Sequence, residues 1–201
     1  MEIKRLAVFV SGSGSNFEAI QKEIMKGKIP GKIVLLVSSN PNAYAIERAK
    51  KYKIDYAIIN EKDFKNYNDY VLKLEKVLED YKIDYILLAG YLKKVPAEIV
   101  KKYKFRILNI HPALLPKYGG KGMFGINVHK AVLEAGEKFT GVTIHFVDEE
   151  YDRGPIIIQK KVKVKKNDTP ETLQKRVLKV EHKIYPYIVK KLCKGKLRIP
   201  D

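Results

Sequence analysis

Apolar residues along the chain come in short blocks separated by longer stretches with helical spacing. Residues 3–10, Ile-Lys-Arg-Leu-Ala-Val-Phe-Val, form a β-prone run, and Lys32–Ser38, Asp55–Ile59, Tyr85–Ala89 and Arg106–Ile110 repeat the pattern. Between them, a segment opening at Phe17 and the stretches Ala43–Tyr52, Tyr67–Tyr81 and Pro96–Tyr103 read as helices; Val71, Leu74, Val77 and Leu78 share one face of the third. Strands that are apolar almost throughout are buried on both sides, and their alternation with helices builds a mostly parallel sheet covered on both faces. The expected class is α/β, doubly wound. After His111 the pattern changes. Pro112–Met123 reads as a loop rich in Gly and Pro, Ile126–Ala135 as a helix, and Thr140–Val147 and Pro155–Val164 as strands, giving an antiparallel carboxyl-terminal edge. Thr169-Pro170-Glu171 has the form of an N-cap followed by proline at the first helical position, opening a helix that runs towards Lys194.

Composition narrows the picture. With 45% hydrophobic residues the chain can fill a core, which excludes disorder, and its 201 residues, without an internal repeat or a linker, suit one domain spanning residues 1–201. A single cysteine, Cys193, excludes a disulfide scaffold. No apolar run reaches the ~18–20 residues of a membrane span, and Met1 leads at once into a strand-like run, so no membrane partner and a cytoplasmic location are expected. Forty Lys plus Arg against 23 Asp plus Glu leave a charge of +17. Lysines are spread over nearly every segment with acids interleaved, as in Glu75-Lys76-Val77-Leu78-Glu79-Asp80. That fits a solvated surface better than the clustered stripe of a nucleic-acid site, and no nucleic-acid partner is expected. Attraction of an anionic ligand or polymer is the competing reading.

The candidate chemistry sits at strand ends. Ser11-Gly12-Ser13-Gly14-Ser15-Asn16 occupies a strand-to-helix turn, where backbone N–H groups can face an anion. A dinucleotide site would need a third glycine at position 17 and an acid at the end of the second strand; Phe17 and Asn40 stand there, so a single phosphomonoester is the better guest, and a capped turn without a ligand the bland alternative. Asn109 and His111, two apart on a strand, share a face at its carboxyl end and suit a developing oxyanion, although a structural histidine bonded to a carbonyl has the same spacing. Asp152 lies in the acidic loop Asp148-Glu149-Glu150-Tyr151-Asp152, which reads equally as a solvated turn. His145 faces away from Val142, Ile144 and Phe146 and is either a partner of the site or a core-edge residue. His111, His129, His145 and His182 lack metal-site spacing, no Gly-x-Ser-x-Gly elbow is present, and no metal is expected. The residues alone reach an α/β enzyme acting on a phosphorylated ligand, with a polyanion-binding module as the alternative class.

Taken together, Ser11–Asn16, Asn109-Ile110-His111-Pro112 continuing to Pro116, Thr143–Val147, Asp152-Arg153-Gly154-Pro155 and Glu181-His182-Lys183-Ile184-Tyr185-Pro186 resemble the phosphoribosylglycinamide formyltransferases, folate-dependent enzymes of purine synthesis. The resemblance covers nearly the whole chain. The Asn-x-His-Pro segment alone also marks other folate-dependent formyltransferases and formyltetrahydrofolate hydrolases. What the resemblance implies is formyl transfer from 10-formyltetrahydrofolate to the amine of 5-phosphoribosylglycinamide, without a metal. It assigns catalysis to Asn109, His111 and Asp152, and the ribonucleotide to Gly14, Ser15, Asn16 and Glu181. The folate side falls to Leu92, Lys93, Lys94 and Val95, with Asn109 and the loop Asp148, Glu149, Glu150, Tyr151 and Asp152. It further implies that Asp152 keeps His111 protonated near neutrality. Arginines are frequent in that family where Lys93 stands and near Tyr67, and Tyr118–Gly125 departs from its loop and is a candidate lid.

Overall fold

A computed structural model describes residues 2–199. Seven strands, β1 (Lys4–Val10), β2 (Gly31–Ser38), β3 (Asp55–Ile58), β4 (Tyr85–Leu88), β5 (Ile107–His111), β6 (Phe139–Phe146) and β7 (Ile156–Lys163), form one sheet in the order β3-β2-β1-β4-β5-β6-β7. The pairs from β3 to β5 are parallel, whereas β5–β6 and β6–β7 are antiparallel. The doubly wound α/β fold with an antiparallel carboxyl-terminal edge is the architecture observed.

Among the described residues, six α-helices cover the sheet: α1 (Ser15–Met25), α2 (Tyr44–Lys51), α3 (Tyr67–Asp80), α4 (Ala97–Lys102), α5 (Ile126–Glu134) and α6 (Pro170–Cys193). Strand alternation sorts their partners. Leu6, Val8 and Val10 of β1 join Phe17, Ile20, Ala45 and Tyr185 in one core, while Ala7 and Phe9 join Tyr70, Leu74, Leu78 and Ile99 in the other. Helices α1, α2 and α6 therefore lie on one face, α3 and α4 on the opposite one. The order reverses between β1 and β4, the switch point at which a doubly wound sheet opens a crevice beyond its carboxyl strand ends.

Local chemistry sets the boundaries. Thr169 caps α6 by accepting from the Thr172 N–H at 3.3 Å, Thr172 Oγ1 returns a bond from the Thr169 N–H at 2.9 Å, and Pro170 follows as expected. Pro186 lies inside α6, and its ring leaves one helical donor absent without ending the helix. The fully buried Tyr185 sends its hydroxyl to the Leu88 and Leu108 carbonyls, at 2.9 and 3.1 Å, spanning the ends of β4 and β5. Two of the boundaries that differ from the sequence reading bear on the site. Helix α1 starts at Ser15 rather than Phe17, because Gly14 turns the chain with φ of 68°, and β5 extends to His111, which pairs with Thr143.

Candidate active site

A cleft of about 670 Å³ runs over the carboxyl ends of β1, β4 and β5. At one end lies the glycine turn. Gly14 packs so closely on α2 that a Cβ there would stand 2.5 Å from the Cβ of Ala45, and its φ of 68° is left-handed. Gly14→Ala should therefore cost about 2 kcal/mol or more in chemical denaturation, from left-handed strain and the clash with Ala45 together; an unchanged midpoint would show that the turn relaxes freely. Asn16, in the first turn of α1, donates its Nδ2 to Glu181 Oε2 of α6 at 2.6 Å, and Asn16 Oδ1 is buried without a partner. Burial pushes the Glu181 carboxyl up to about 7, and the single bond from Asn16 offsets only part of that.

Further along, β5 and β6 bring polar groups onto one face. Asn109 pairs with His145 across the antiparallel ladder. His145 Nδ1 lies 2.7 Å from the Phe146 carbonyl and donates to it, leaving Nε2 to accept from Asn109 Nδ2 at 3.1 Å. Asn109 Nδ2 also donates to Asp152 Oδ1 at 3.1 Å, so both amide hydrogens are engaged. His111 Nε2, 2.7 Å from the Tyr118 carbonyl, must carry its hydrogen, and Nδ1 faces Asp152 Oδ2 at 3.6 Å. Asp152 Oδ2 accepts from the Gly120 N–H at 2.9 Å. The glycine-rich loop is thus held to both His111 and Asp152 through its backbone. The loop passes close to its neighbours at Gly119, where a Cβ would lie 2.5 Å from Leu115 Cδ2 and 3.2 Å from the Asp152 Cβ.

Electrostatics differ from the expectation at one point. Burial lowers the His111 pKa below the ordinary 6.5 and outweighs the opposing charge of Asp152 and the bond to Tyr118. The resting imidazole is therefore neutral at neutral pH, which corrects the expectation of a standing imidazolium. Burial works against ionisation of Asp152 too, but the attraction of its carboxylate to the His145 and His111 rings in their protonated forms, together with the Gly120 N–H, holds it below the usual carboxylate range.

The structure brings Asn109, His111 and Asp152 together, and lines the same cleft with Gly14, Ser15, Asn16, Glu181, Leu92, Lys93, Lys94, Val95, Asp148, Glu150 and Tyr151. Glu149 is placed elsewhere: it is exposed and pairs with Lys101 of α4 at 3.8 Å, because the loop turns its side chain outward. Sequence reasoning missed His129, Gln174 and Leu178, which also line the cleft. For the last two a signal existed, since Gln174, Leu178 and Glu181 recur at helical spacing and form one stripe. Among the described residues, no group of three or more His, Cys, Asp or Glu is placed to hold a metal ion, and no helix is long and apolar enough to cross a membrane.

Comparison with known proteins agrees with this geometry. The family model described as formyl transferase matches residues 4–189. Phosphoribosylglycinamide formyltransferase of Haemophilus influenzae is 37% identical over 199 residues, covering 99% of this chain and 92% of its own. The chloroplastic phosphoribosylglycinamide formyltransferase of Arabidopsis thaliana is 48% identical over 97% of this chain, which spans 67% of that relative's length; for the Vigna unguiculata relative the share is 62%. Among solved structures, glycinamide ribonucleotide transformylase 1 from Symbiobacterium toebii superimposes with a TM-score of 0.91 at 36% identity, covering 98% of this chain and 91% of its own. The cleft, its glycine turn and the Asn109-x-His111-Pro112 strand end thus sit in a chain that belongs to the formyl transferase family.

Proposed function

We propose that this chain transfers a formyl group from 10-formyltetrahydrofolate to the amine of 5-phosphoribosylglycinamide, a step of purine synthesis. The observation that carries this reading is the convergence of Asn109, His111 and Asp152 in one cleft with the glycine turn and Glu181. The relatives' names carry the same acceptor and the same transferred group. Sugar hydroxyls fit Glu181, and the phosphate fits the N–H groups of Gly14, Ser15 and Asn16. The folate fits the wall formed by Leu92, Lys93, Lys94 and Val95 opposite the loop that carries Tyr151. A lysine meets a carboxylate as a point charge, without the two-pronged geometry of an arginine.

In the reaction the amine nitrogen bonds to the formyl carbon, the carbonyl oxygen becomes an oxyanion, and the bond from that carbon to N10 of the folate then breaks. The proton lost by the amine ends on N10. Neutral His111 has one free lone pair, on Nδ1, and takes up that proton; Asp152 stabilises the imidazolium until the proton passes to the leaving nitrogen. Asn109 turns one amide hydrogen from its internal partners to the oxyanion, a contact worth ~3 kcal/mol of barrier.

The test is an absorbance assay of folate deformylation that depends on the ribonucleotide amine; deformylation that ignores the amine would instead indicate a hydrolase. The acid limb of the kcat/KM profile should fall with a midpoint below 6.5, because the neutral imidazole is the working form and burial lowers its pKa. A midpoint well above 6.5 would contradict the assignment of His111 as the base.

A further inference from the structure

His145 on β6 stands directly opposite Asn109 in the antiparallel ladder and is 2% exposed, yet the chemistry above gives it no task. The Phe146 carbonyl can only accept, so Nδ1, 2.7 Å away, carries a hydrogen, and Nε2 of the neutral ring offers a lone pair. That lone pair stands 3.6 Å from Asp152 Oδ1, and the Asn109 amide nitrogen bridges the two acceptors at 3.1 Å each. Two acceptors this close repel one another unless a group with two hydrogens lies against both. The amide is thereby held with its nitrogen towards them; rotated by half a turn, its oxygen would face two lone pairs.

This inference rests on the formyl-transfer reading, in which Asn109 gives one of those hydrogens to the oxyanion. The two bonds are not equivalent. Asp152 acquires a second claimant during the reaction, because its Oδ2 faces His111 Nδ1 at 3.6 Å and that ring becomes cationic. His145 acquires none, since its other nitrogen stays tied to the Phe146 carbonyl. We propose that His145 is a positioning residue, anchoring the Asn109 amide through one hydrogen while the other passes from Asp152 to the oxyanion. Proton uptake at His111 and delivery of the oxyanion donor are then coupled. As the carboxylate is drawn to the imidazolium, it releases the hydrogen that the carbonyl oxygen needs.

Kinetics on the full chain test this with His145→Met, which fills the space without the acceptor, and His145→Gln, whose side-chain oxygen restores one. The Met variant should lose roughly 10–100-fold in kcat with both KM values unchanged, part of the about 10²–10³ that removal of an oxyanion donor costs. The Gln variant should recover most of that loss. In a double-mutant cycle with Asn109→Ala, the Met exchange should cost nothing further, since its effect runs through Asn109. A merely structural role would lower activity by the same factor in either background, and that additivity overturns the proposal. So does a folded Met variant with wild-type kcat. Long-range proton–nitrogen-15 NMR of the wild-type chain at pH 7 should find His145 as the Nδ1–H tautomer, a readout that needs no variant to fold; an Nε2–H tautomer or a doubly protonated ring overturns the proposal as well. A wild-type chain that transfers no formyl group would remove the reading and this role with it, whereas additivity in an active enzyme removes the role alone.

Discussion

Replacing Asp152 by Asn should lower turnover by about 10²–10⁴-fold, since proton transfer through His111 depends on the charge that stabilises its imidazolium, while the ribonucleotide binds as before. The backbone at 152 has φ of 56°, a left-handed conformation that Asp and Asn both tolerate, so the exchange brings no new strain. An amide oxygen can still accept from Gly120 and preserve the tie to the loop. What disappears is the charge facing His111 Nδ1 at 3.6 Å, together with the second oxygen, which accepts from Asn109. Without it the imidazolium formed in the reaction has no counter-ion. Because that charge raises the His111 pKa, its removal also moves the acid limb to still lower pH. Single-turnover kinetics combined with ribonucleotide titration separate chemistry from binding. Near-normal turnover would take Asp152 out of the mechanism.

The second large effect concerns stability. Glu181 titrates at about 7 in the folded protein against an ordinary 4.5. A carboxyl raised in this way imposes no charge penalty on the fold below the unfolded value, an increasing one between the two, and the full one above about 7. Glu181→Gln, which keeps an acceptor for Asn16, should therefore stabilise the protein by about 3 kcal/mol at pH 8 and by almost nothing at pH 4. Thermal or urea unfolding at the two pH values reads the difference directly. The same variant should bind the ribonucleotide more weakly, since a carboxylate accepts from sugar hydroxyls more strongly than an amide does. Equal stability at both pH values would mean that Glu181 is not held in a low-dielectric site.

The two effects also mark what the sequence could and could not reveal. The shared face of Asn109 and His111 follows from strand periodicity, and the glycine turn from its position between β1 and α1. The cap at Thr169 is equally local. Asp152 was only one acid of a loop, because its bonds to Asn109 and Gly120 close across 43 and 32 residues. Glu149, three residues earlier, shows that the acidic loop has an inner and an outer side, and nothing in its composition tells them apart. The place of His129 depends on how α5 rolls against α6. The charge state of His111 failed for a related reason: a partner such as Asp152 can be inferred from a motif, whereas burial is a property of everything packed around the ring.

One contact far below the reacting atoms bears on how the cleft works. Tyr185 ties the Leu88 carbonyl at the end of β4 to the Leu108 carbonyl in β5, next to the Asn109–His111 pair, while the segment after β4 carries the cleft wall from Leu92. Both reactants are thereby seated on strands pinned to a common foundation, and a shift in either strand is felt at once by the other. Since alignment of two bound molecules can supply ~7–11 kcal/mol of a barrier, the spacing between donor and acceptor is a built-in dimension of the scaffold, fixed before either guest arrives.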